Sequence, residues 1–557
     1  MRTRAGERLA ALAAVAAAVA MVAVPIGQLV RVVASDGGSS IAAVLRAPGF
    51  GTAVAHSFEL AVIVPLLAVP LGTGLALLLR HPDVPFRRVL RVLVVLPLLV
   101  PQFVIGYSWT QAYGRGGFTD QLVGAWWTSL TGPVGIMLVL VVDAVPICYL
   151  LSAAGLATRA QPELELAARM SGAGPWIALR TVTLPLLRPV LAAEVVLTFV
   201  ATLESFAVPQ VLGTPAGYAT LTTRLYSDLA FGSDPASFRD AVALALGLAL
   251  VAAVLLIPAD VVLAPRLRSR RTTSVVGGFS LRRRTVGVTV VAALVGCYAV
   301  LTVLLPTAAL VAASVTRAIG LPPTPGNWTL DNFRSALDAP TRTAFVHSVQ
   351  LAVLAALVLT VLGAIVAALE RSRAGRLLGA VVMLTFAIPG SALAVGLLVA
   401  YDRMLGGTLT LILLAYLAKF WALAHRAVSG AVDRMPAGEW HAARTSGAGA
   451  LVALRTVWLP ALAPALAGAW LLVFVSALHE VTMSSLLYST GSETIAVAVL
   501  NSQQLGDTAS TAALSVALTL PLFAVAGPAW LLLRLGARRR APARVPARSH
   551  EVAGVCS

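Results

Sequence analysis

The sequence predicts an all-α, polytopic membrane protein of about twelve transmembrane helices, arranged as two parallel six-helix repeats. Three observations predict this fold class. Hydrophobic residues make up 58% of the 557 residues and charged residues only 12%, with a mean hydropathy of +0.88, whereas soluble domains average about 25% charged residues. Apolar runs of roughly 20 residues, the length that crosses a bilayer, recur along the chain. A 26-residue segment of the first half is repeated in the second.

The predicted spans number six in each half. Their approximate bounds are 9–33, 55–79, 89–112, 131–156, 186–208, 240–263, 285–313, 345–369, 377–401, 409–431, 461–483 and 509–534. The first span follows the basic segment MRTRAGER and is interpreted as retained, because its apolar run is longer than the core of a typical signal peptide.

The repeat is exact enough to define two halves. Residues 167–192 and 442–467 lie 275 positions apart (442 minus 167), and 18 of their 26 paired positions are identical. The segment around His56 resembles the one around His347 at an offset of 291, so the first half carries 16 extra residues between these points. We expect them in the outer loop 113–130. The predicted domains are a first half at 1–264, a basic linker at 265–284, a second half at 285–534 and a tail at 535–557.

The distribution of arginine predicts the orientation. Of 41 arginines and lysines, 31 arginines fall in loops on one predicted side and nine on the other, with Lys419 inside a span. Such an excess marks the cytoplasmic side and places both termini there. The net charge of +17 is therefore interpreted as a topology signal rather than a nucleic-acid surface. Three distant cysteines, Cys148, Cys297 and Cys556, predict neither a disulfide framework nor a zinc site.

Each copy of the repeated segment lies in the predicted loop between the fourth and fifth spans of its half, at about 157–185 and 432–460. Good helix formers precede a glycine-rich turn, a second short helix at 175–181 follows, and Leu184-Pro185 then begins the next span. The pattern predicts a small knob on the cytoplasmic face, present twice, which contacts a partner with two equivalent sockets.

These segments resemble the coupling loop of the permease subunits of type I ABC importers. The signature of that family is Glu-Ala-Ala, three residues, Gly, nine residues and then Ile-x-Leu-Pro. The matching positions are Ala167, Ala168, Gly172, Leu184 and Pro185 in the first copy and Ala442, Ala443, Gly447, Leu459 and Pro460 in the second. The glutamate is absent, since Leu166 and His441 take its place, and Glu165 and Glu439 lie only nearby.

The resemblance implies that these residues couple the chain to a cytosolic dimer of ABC ATPase subunits. The sole lysine, Lys419, is followed by Phe420, so the chain has no Gly-Lys-Ser/Thr phosphate-binding loop. The chain is therefore expected to be a transport subunit and not an enzyme. We expect it to bind no cofactor, with ATP and magnesium bound by the partner.

Fused two-half permeases of this type resemble the ferric iron importer group. The segments that carry this resemblance are 203–215, 221–226 and 478–489. The resemblance implies a multi-pass protein of the bacterial plasma membrane that imports ferric iron, supplied by an extracytoplasmic substrate-binding protein. We expect that protein to dock on the outer loops 113–130, 213–238 and 320–340. Thiamine, phosphonate and polyamine remain alternative substrates.

Polar side chains in the predicted spans are candidates for the translocation pathway, because charged groups are costly at membrane depth. The candidates are Asp143, Glu194, Glu204, Ser205, His479 and Glu480. The alternative is that they only form hydrogen bonds with neighbouring helices. His56 and His347 begin spans and are interpreted as capping or interface residues. No cluster has the spacing of metal ligands, so no metal site is predicted.

Lys419, His425 and Arg426 either face the cavity or extend to the cytoplasmic interface, and the second placement is favoured. Two other classes of protein stay open. An ion-coupled secondary transporter would need acidic relays in the membrane and no cytosolic partner. A membrane-bound enzyme would need a catalytic cluster, which the sequence does not indicate.

Overall fold

The structure is a computed structural model that describes residues 11–35, 37–159, 161–267, 286–318, 320–322, 324–370, 372–433, 435 and 437–539. Most of the predicted linker at 265–284 and most of the predicted tail at 535–557 lie outside the described residues. Within these ranges the chain is helical, and the only β-type pairing is an isolated bridge between Thr316 and Trp328.

Eleven helices form the first half. They are α1 (Ala11–Ser35), α2 (Ser39–Arg46), α3 (Phe50–Arg80), α4 (Arg87–Val95), α5 (Gln102–Tyr113), α6 (Phe118–Val123), α7 (Pro133–Arg159), α8 (Pro162–Met170), α9 (Pro175–Leu203), α10 (Leu221–Ala230) and α11 (Pro235–Leu267).

Eleven described helices form the second half in the same order. They are α12 (Gly287–Val315), α13 (Asp331–Ala336), α14 (Ala339–Leu369), α15 (Arg373–Phe386), α16 (Gly390–Leu405), α17 (Leu409–Val432), α18 (Ala437–Thr445), α19 (450–478), α20 (Thr482–Leu487), α21 (Ile495–Gln504) and α22 (Thr508–Arg539).

Ten of the described helices are long and apolar enough to cross a membrane, and two sharply bent helix pairs bring the number to twelve. This confirms the all-α polytopic fold with two repeats. The bent pairs correct the predicted continuous spans 89–112 and 377–401. The chain turns by 109° between α4 and α5 and by 104° between α15 and α16. Pro101 and Pro389 stand at these breaks, where proline cannot donate the hydrogen bond that would continue the preceding helix.

Three long helices form the core of each half, α3, α7 and α9 in the first and α14, α17 and α19 in the second. A glycine marks the tightest helix crossing in each. An added Cβ at Gly72 would lie 2.5 Å from the Cβ of Cys148, and one at Gly363 would lie 3.0 Å from backbone atoms of Ala424 and His425. Both crossings therefore require the absence of a side chain.

The first helix of each half packs on the other half. The α1 helix lies against α16, where Tyr401 donates a hydrogen bond to the carbonyl of Ala20 at 2.8 Å. In the same way α12 lies against α5, and Tyr113 donates to the carbonyl of Leu301. The last long helix of the first half, α11, also packs on α16. The second limb of each broken span is thus held largely by helices of the opposite half.

The loop that follows α5 contains the short helix α6, whereas only a tight turn at 406–408 follows α16. This difference agrees with the expected position of the extra residues of the first half between 113 and 130. The connection between the broken span and the next long helix is therefore longer in the first half than in the second.

Candidate transport cavity and coupling loops

A cavity of about 560 Å³ lies where the two halves meet, beside both broken spans. Its polar lining comes from α5, α7 and the end of α9 on one side, and from α17, the end of α19 and the segment after it on the other. These polar residues are Gln102, Asp143, Glu204, Ser205, Lys419, Ser476, His479, Glu480 and Thr482. Five of the six predicted pathway residues thus line one cavity. Gln102 and Lys419 join them and were not proposed as pathway residues from the sequence.

Lys419 does not extend to an interface, so the favoured prediction for this side chain is wrong. Its ammonium lies 2.8 Å from Oε2 of Glu204 and donates a second hydrogen bond, of 2.7 Å, to the carbonyl of Ile388. The side chains of Lys419 and Glu204 are only 14% and 17% exposed. A paired carboxylate and an otherwise unsatisfied carbonyl hold the lysine in the cavity, because a buried ammonium needs both charge and hydrogen-bond partners.

Glu204 links the first half to the broken span of the second. Besides forming the ion pair with Lys419, its carboxylate lies close to the backbone N–H of Gly390, the first residue of α16. The start of a helix carries unsatisfied N–H groups and a partial positive charge, so a carboxylate is favoured there.

His479 occupies the position of Glu204 in the second copy, because 479 minus 275 is 204. It lines the cavity together with Leu99, just before the break of the first half, and lies close to the backbone of that residue. Next to this break, Gln102 donates a hydrogen bond of 2.6 Å to Oδ2 of Asp143. Each broken span is therefore contacted by a polar side chain from the opposite half.

Glu480 is held by the start of the short helix α20. Its carboxylate accepts hydrogen bonds from the backbone N–H groups of Met483 at 2.7 Å and Ser484 at 2.9 Å. The hydroxyl of Ser484 also donates to Oε2 of Glu480 at 3.0 Å and lies 2.7 Å from the hydroxyl of Tyr416. This network fixes the carboxylate at the cavity wall.

Glu194 is not among the described residues that line this cavity, which separates it from the other predicted pathway residues. It is buried between α3, α7 and α9, where the hydroxyl of Ser152 donates to Oε1 at 2.8 Å and lies 2.9 Å from that of Thr73. The corresponding positions of the second half are alanines, Ala364, Ala427 and Ala469. The cluster is therefore a local polar packing contact of one half.

We expect the triple substitution Thr73→Ala, Ser152→Ala and Glu194→Ala to leave uptake intact, because it gives the first half the alanines that already pack in the second. Glu194→Ala alone should lower the yield of folded protein, since it leaves two buried hydroxyls without their acceptor. The measurement is uptake per amount of membrane-inserted protein. Normal yield of the triple variant with lost uptake would instead place Glu194 in the pathway.

The first coupling segment is a helix closed by a left-handed glycine. The helix α8 ends at Met170, and Gly172 has a φ of +89°. The N–H of Gly172 donates to the carbonyl of Arg169 and that of Ala173 to Ala168, both at 3.0 Å. This is the Schellman pattern, in which a glycine satisfies the last carbonyls of a helix. Glu165, four residues before Arg169, forms an ion pair with it at 3.2 Å.

The second coupling segment repeats this geometry. Gly447 has a φ of +86°, and the N–H of Ala448 donates to the carbonyl of Ala443 at 3.1 Å. The second alanine of each signature pair, Ala168 or Ala443, thus supplies the carbonyl that accepts the hydrogen bond of the turn. Glu439, on the first turn of α18, is exposed. The predicted helix, glycine turn and second helix are present in both copies.

The second helix of each segment does not end before Leu184 or Leu459, as the sequence suggested. It continues through a π-helical turn, Leu179–Thr183 or Leu454–Trp458, into the long helix α9 or α19. Pro185 and Pro460 are tolerated because the wider turn before them already lacks the regular helical hydrogen bonds. A displacement of the turn can therefore pass directly into a spanning helix.

The coupling segments present apolar side chains on their surface. Met170 is 82% exposed, Trp176 67% and Ile177 53%, and Val452 of the second copy is 52% exposed. Exposed large apolar groups next to a fixed turn are typical of an interaction site.

The remaining histidines are held by local contacts. His56 lies 2.9 Å from the carbonyl of Ala219 and stacks on Tyr218, and His347 lies 3.2 Å from the carbonyl of Glu493. Neither residue caps a helix, because α3 begins at Phe50 and α14 at Ala339, so the predicted capping role is wrong and the interface role stays a prediction. His425, for which an interfacial position was favoured, is instead buried and lies 3.1 Å from Oε1 of Glu370. The described residues contain no group of three or more histidine, cysteine or acidic residues that could hold a metal ion.

Comparisons with known proteins agree with this architecture. The family model of the binding-protein-dependent transport system inner membrane component matches twice, at residues 68–269 and 359–539, and each match includes one coupling segment. The chain is 24% identical over 489 residues to the Fe(3+)-transport system permease protein FbpB 2 of Haemophilus influenzae, covering 86% of this chain and 88% of that protein.

Of two further relatives, one is named for molybdenum transport and the other is named without a substrate. The molybdenum transport system permease protein ModB of Mycobacterium tuberculosis is 32% identical over 216 residues, which are 39% of this chain and 80% of that protein. The probable ABC transporter permease protein y4fN of Sinorhizobium fredii is 26% identical over 442 residues, 76% of this chain and 77% of that protein. Because the family model covers more than half of the sequence in two copies, this chain belongs to the family of binding-protein-dependent transport system inner membrane components.

Proposed function

We propose that this chain is the permease subunit of an ATP-driven importer for ferric iron. A separate ABC ATPase dimer hydrolyses ATP and an extracytoplasmic binding protein delivers the cargo. The chain lies in the bacterial inner membrane with both termini in the cytoplasm. The arginine-rich loops support this orientation. The similarity to the ferric permease extends over most of both chains.

The charge of the cavity is the observation that favours a cationic cargo over molybdate, which is an oxyanion. Asp143, Glu204 and Glu480 contribute three carboxylates, against the ammonium of Lys419 among the described lining residues. Each ionised carboxylate opposes an anion about 4 Å away by ~4 kcal/mol at an effective dielectric constant of about 20. A cation gains the same interaction, so the carboxylate excess supports import of ferric iron or another cationic cargo.

The two coupling segments are proposed to dock on the two ATPase subunits, one segment on each. The parallel repeat supports a position of both segments at the same face. Both turns have a left-handed glycine, and the residue after it donates to the carbonyl of the second paired alanine. The exposed side chains of Met170 and Trp176 are suited to an apolar socket on the partner. Because α9 and α19 are continuous, a movement of the ATPase subunits would displace the ends of these helices at the cavity.

We expect proteoliposomes that contain this chain, its ATPase and its binding protein to accumulate radioactive ferric iron when ATP is inside. The same vesicles should not accumulate radioactive molybdate. Thiamine, a cation of another class, is tested in parallel in the same vesicles. Matched vesicles lacking the binding protein, or containing an ATPase without its phosphate-binding lysine, serve as controls. Accumulation of molybdate but not iron would contradict the proposal.

A further inference from the structure

The sole lysine of the chain forms an ion pair between the two halves of the molecule. Lys419 belongs to α17 of the second half, and Glu204 follows α9 of the first half, 215 residues away in sequence. Their atoms are 2.8 Å apart at the wall of the shared cavity. If the two halves separate during transport, this ion pair stabilises the conformation in which they are in contact.

The pair is located at the break of the second bent span. The carbonyl of Ile388 follows the last turn of α15, and Pro389 after it supplies no N–H. Lys419 donates to that carbonyl at 2.7 Å, and the carboxylate of Glu204 lies close to the N–H of Gly390 on the other side of the break. The ammonium also lies 5.8 Å from the ring centre of Phe386. Lys419 therefore binds the broken span directly, and Glu204 lies beside it.

The corresponding position of the first half has no ammonium. Residue 144, which is 419 minus 275, is an alanine, and the adjacent Asp143 is paired with the neutral side chain of Gln102. His479 in turn takes the place of Glu204. Of the two related breaks, only the second is therefore crossed by an ion pair in the described residues.

Lys419 also occupies the place that a cationic cargo would take. Its charge interacts with Glu480 of the second half in addition to Glu204 of the first. A cation that enters the cavity meets carboxylates already neutralised by this ammonium and must compete with it. An anion gains nothing by displacing it, because Glu204 would then be left unpaired.

We propose that Lys419 and Glu204 form a charged latch, which holds the second broken span against the first half until cationic cargo displaces the ammonium. Lys419 is thus a specificity-determining residue, because release of the latch requires a positive charge at Glu204. The inference rests on the proposed function for the charge of the cargo. The contacts of the latch themselves are independent of which cation is carried.

The test is a double-mutant cycle with neutral side chains of similar length. The complete importer in proteoliposomes is compared as wild type, Lys419→Met, Glu204→Gln and the double variant. The readout is ATP hydrolysis in the absence of the binding protein and of cargo. An error in the assigned cargo therefore leaves this readout unchanged, whereas it would show in the uptake assay.

We expect Lys419→Met to raise this unstimulated hydrolysis about tenfold, the change in population that corresponds to roughly 1.4 kcal/mol. Glu204→Gln should raise it as well. The double variant should not exceed Lys419→Met, because removing either partner already opens the latch and removing both also removes the unpaired charge. Lys419→Arg should stay close to the wild-type rate, since a guanidinium can donate to both the carboxylate and the carbonyl.

The matched control is the ion pair between Arg334 and Asp331, whose side chains are 80% and 76% exposed. Arg334→Met and Asp331→Asn should leave this unstimulated rate unchanged, because exposed pairs contribute little and the binding protein expected to dock on the loop 320–340 is absent from the assay. An unchanged rate in Lys419→Met, or single effects that multiply in the double variant, would overturn the latch. If the single variants fail to assemble while the double variant assembles, that result would support the latch, because only a direct pair explains why the second substitution restores assembly.

Discussion

Replacing Gly172 or Gly447 with proline is expected to reduce ATP-driven uptake to background while leaving the protein inserted in the membrane. Each glycine closes a coupling helix at a positive φ, +89° and +86° respectively. Proline is restricted to a φ near −65° and has no N–H, so it removes both the conformation and the hydrogen bond of the turn. The coupling segment proposed to bind the ATPase then loses the conformation of its turn.

The measurements are uptake and ATP hydrolysis by the reconstituted importer, with the binding protein present and absent. ATP hydrolysis should no longer respond to the binding protein in either proline variant. Gly172→Ala should be intermediate, because a left-handed conformation costs a non-glycine residue about 1–2 kcal/mol. Two glycines of the same turns serve as controls. Gly174→Ala and Gly449→Ala should be neutral, since an added Cβ meets no atom within 4 Å at either position. Normal uptake by both proline variants would refute the docking role.

Replacing Gly72 or Gly363 with leucine is expected to prevent assembly of the corresponding half. At these positions an added Cβ alone would overlap the facing helix, at 2.5 Å from Cys148 and 3.0 Å from Ala424. Overpacking by a few methylene groups typically costs about 1–3 kcal/mol, and a full side chain at a helix crossing costs more. The expected result is loss of monodisperse protein after extraction from the membrane.

Substitution of either glycine with alanine should destabilise the protein less than substitution with leucine. Gly72→Ala should lower the thermal stability of the extracted protein more than Gly363→Ala, because its Cβ would be closer to its neighbours and one of them is the backbone N of Tyr149. Gly74→Ala is the matched control on the same helix, since its Cβ would have no neighbour within 4 Å. Equal melting temperatures for wild type and Gly72→Ala would show that these helices can separate without cost.

The sequence predicted the features that depend on local chemistry or on the repeat. Hydrophobic runs identified the spans, because the cost of a polar group in the bilayer is independent of tertiary structure. The glycine turns of the coupling segments were also predictable. Gly172 and Gly447 end helix-forming stretches at equivalent positions, and the left-handed conformation they adopt is one that glycine favours.

The broken spans were missed because proline alone does not indicate a break. Proline also occurs inside the long helices α3, α7, α9 and α19 at Pro65, Pro70, Pro146, Pro189 and Pro464, and these helices continue past it. Pro101 and Pro389 differ in tertiary context. Polar side chains of the opposite half lie against the chain at both breaks, and such contacts across more than 180 residues leave no local pattern.

The position of Lys419 was unpredictable for the same reason. A lysine late in an apolar helix can reach an interface or face inward, and the choice depends on whether a buried carboxylate lies within reach. Glu204 provides that carboxylate from the other half. Five residues that line the cavity were nevertheless identified, because a charged group within a span is costly wherever it is placed. Glu194 shows the limit of this rule, since its partners are the hydroxyls of its own half.

The mutual packing of α1 on α16 and of α12 on α5 means that cohesion does not depend on the peptide that joins the two halves. Either half on its own would have a broken span without its main support and would expose to lipid the carboxylates or the lysine that now face each other. A chain cut between α11 and α12 would therefore behave as a heterodimer of obligate partners. The covalent connection serves chiefly to fix their ratio at one to one and their identity as a matched pair.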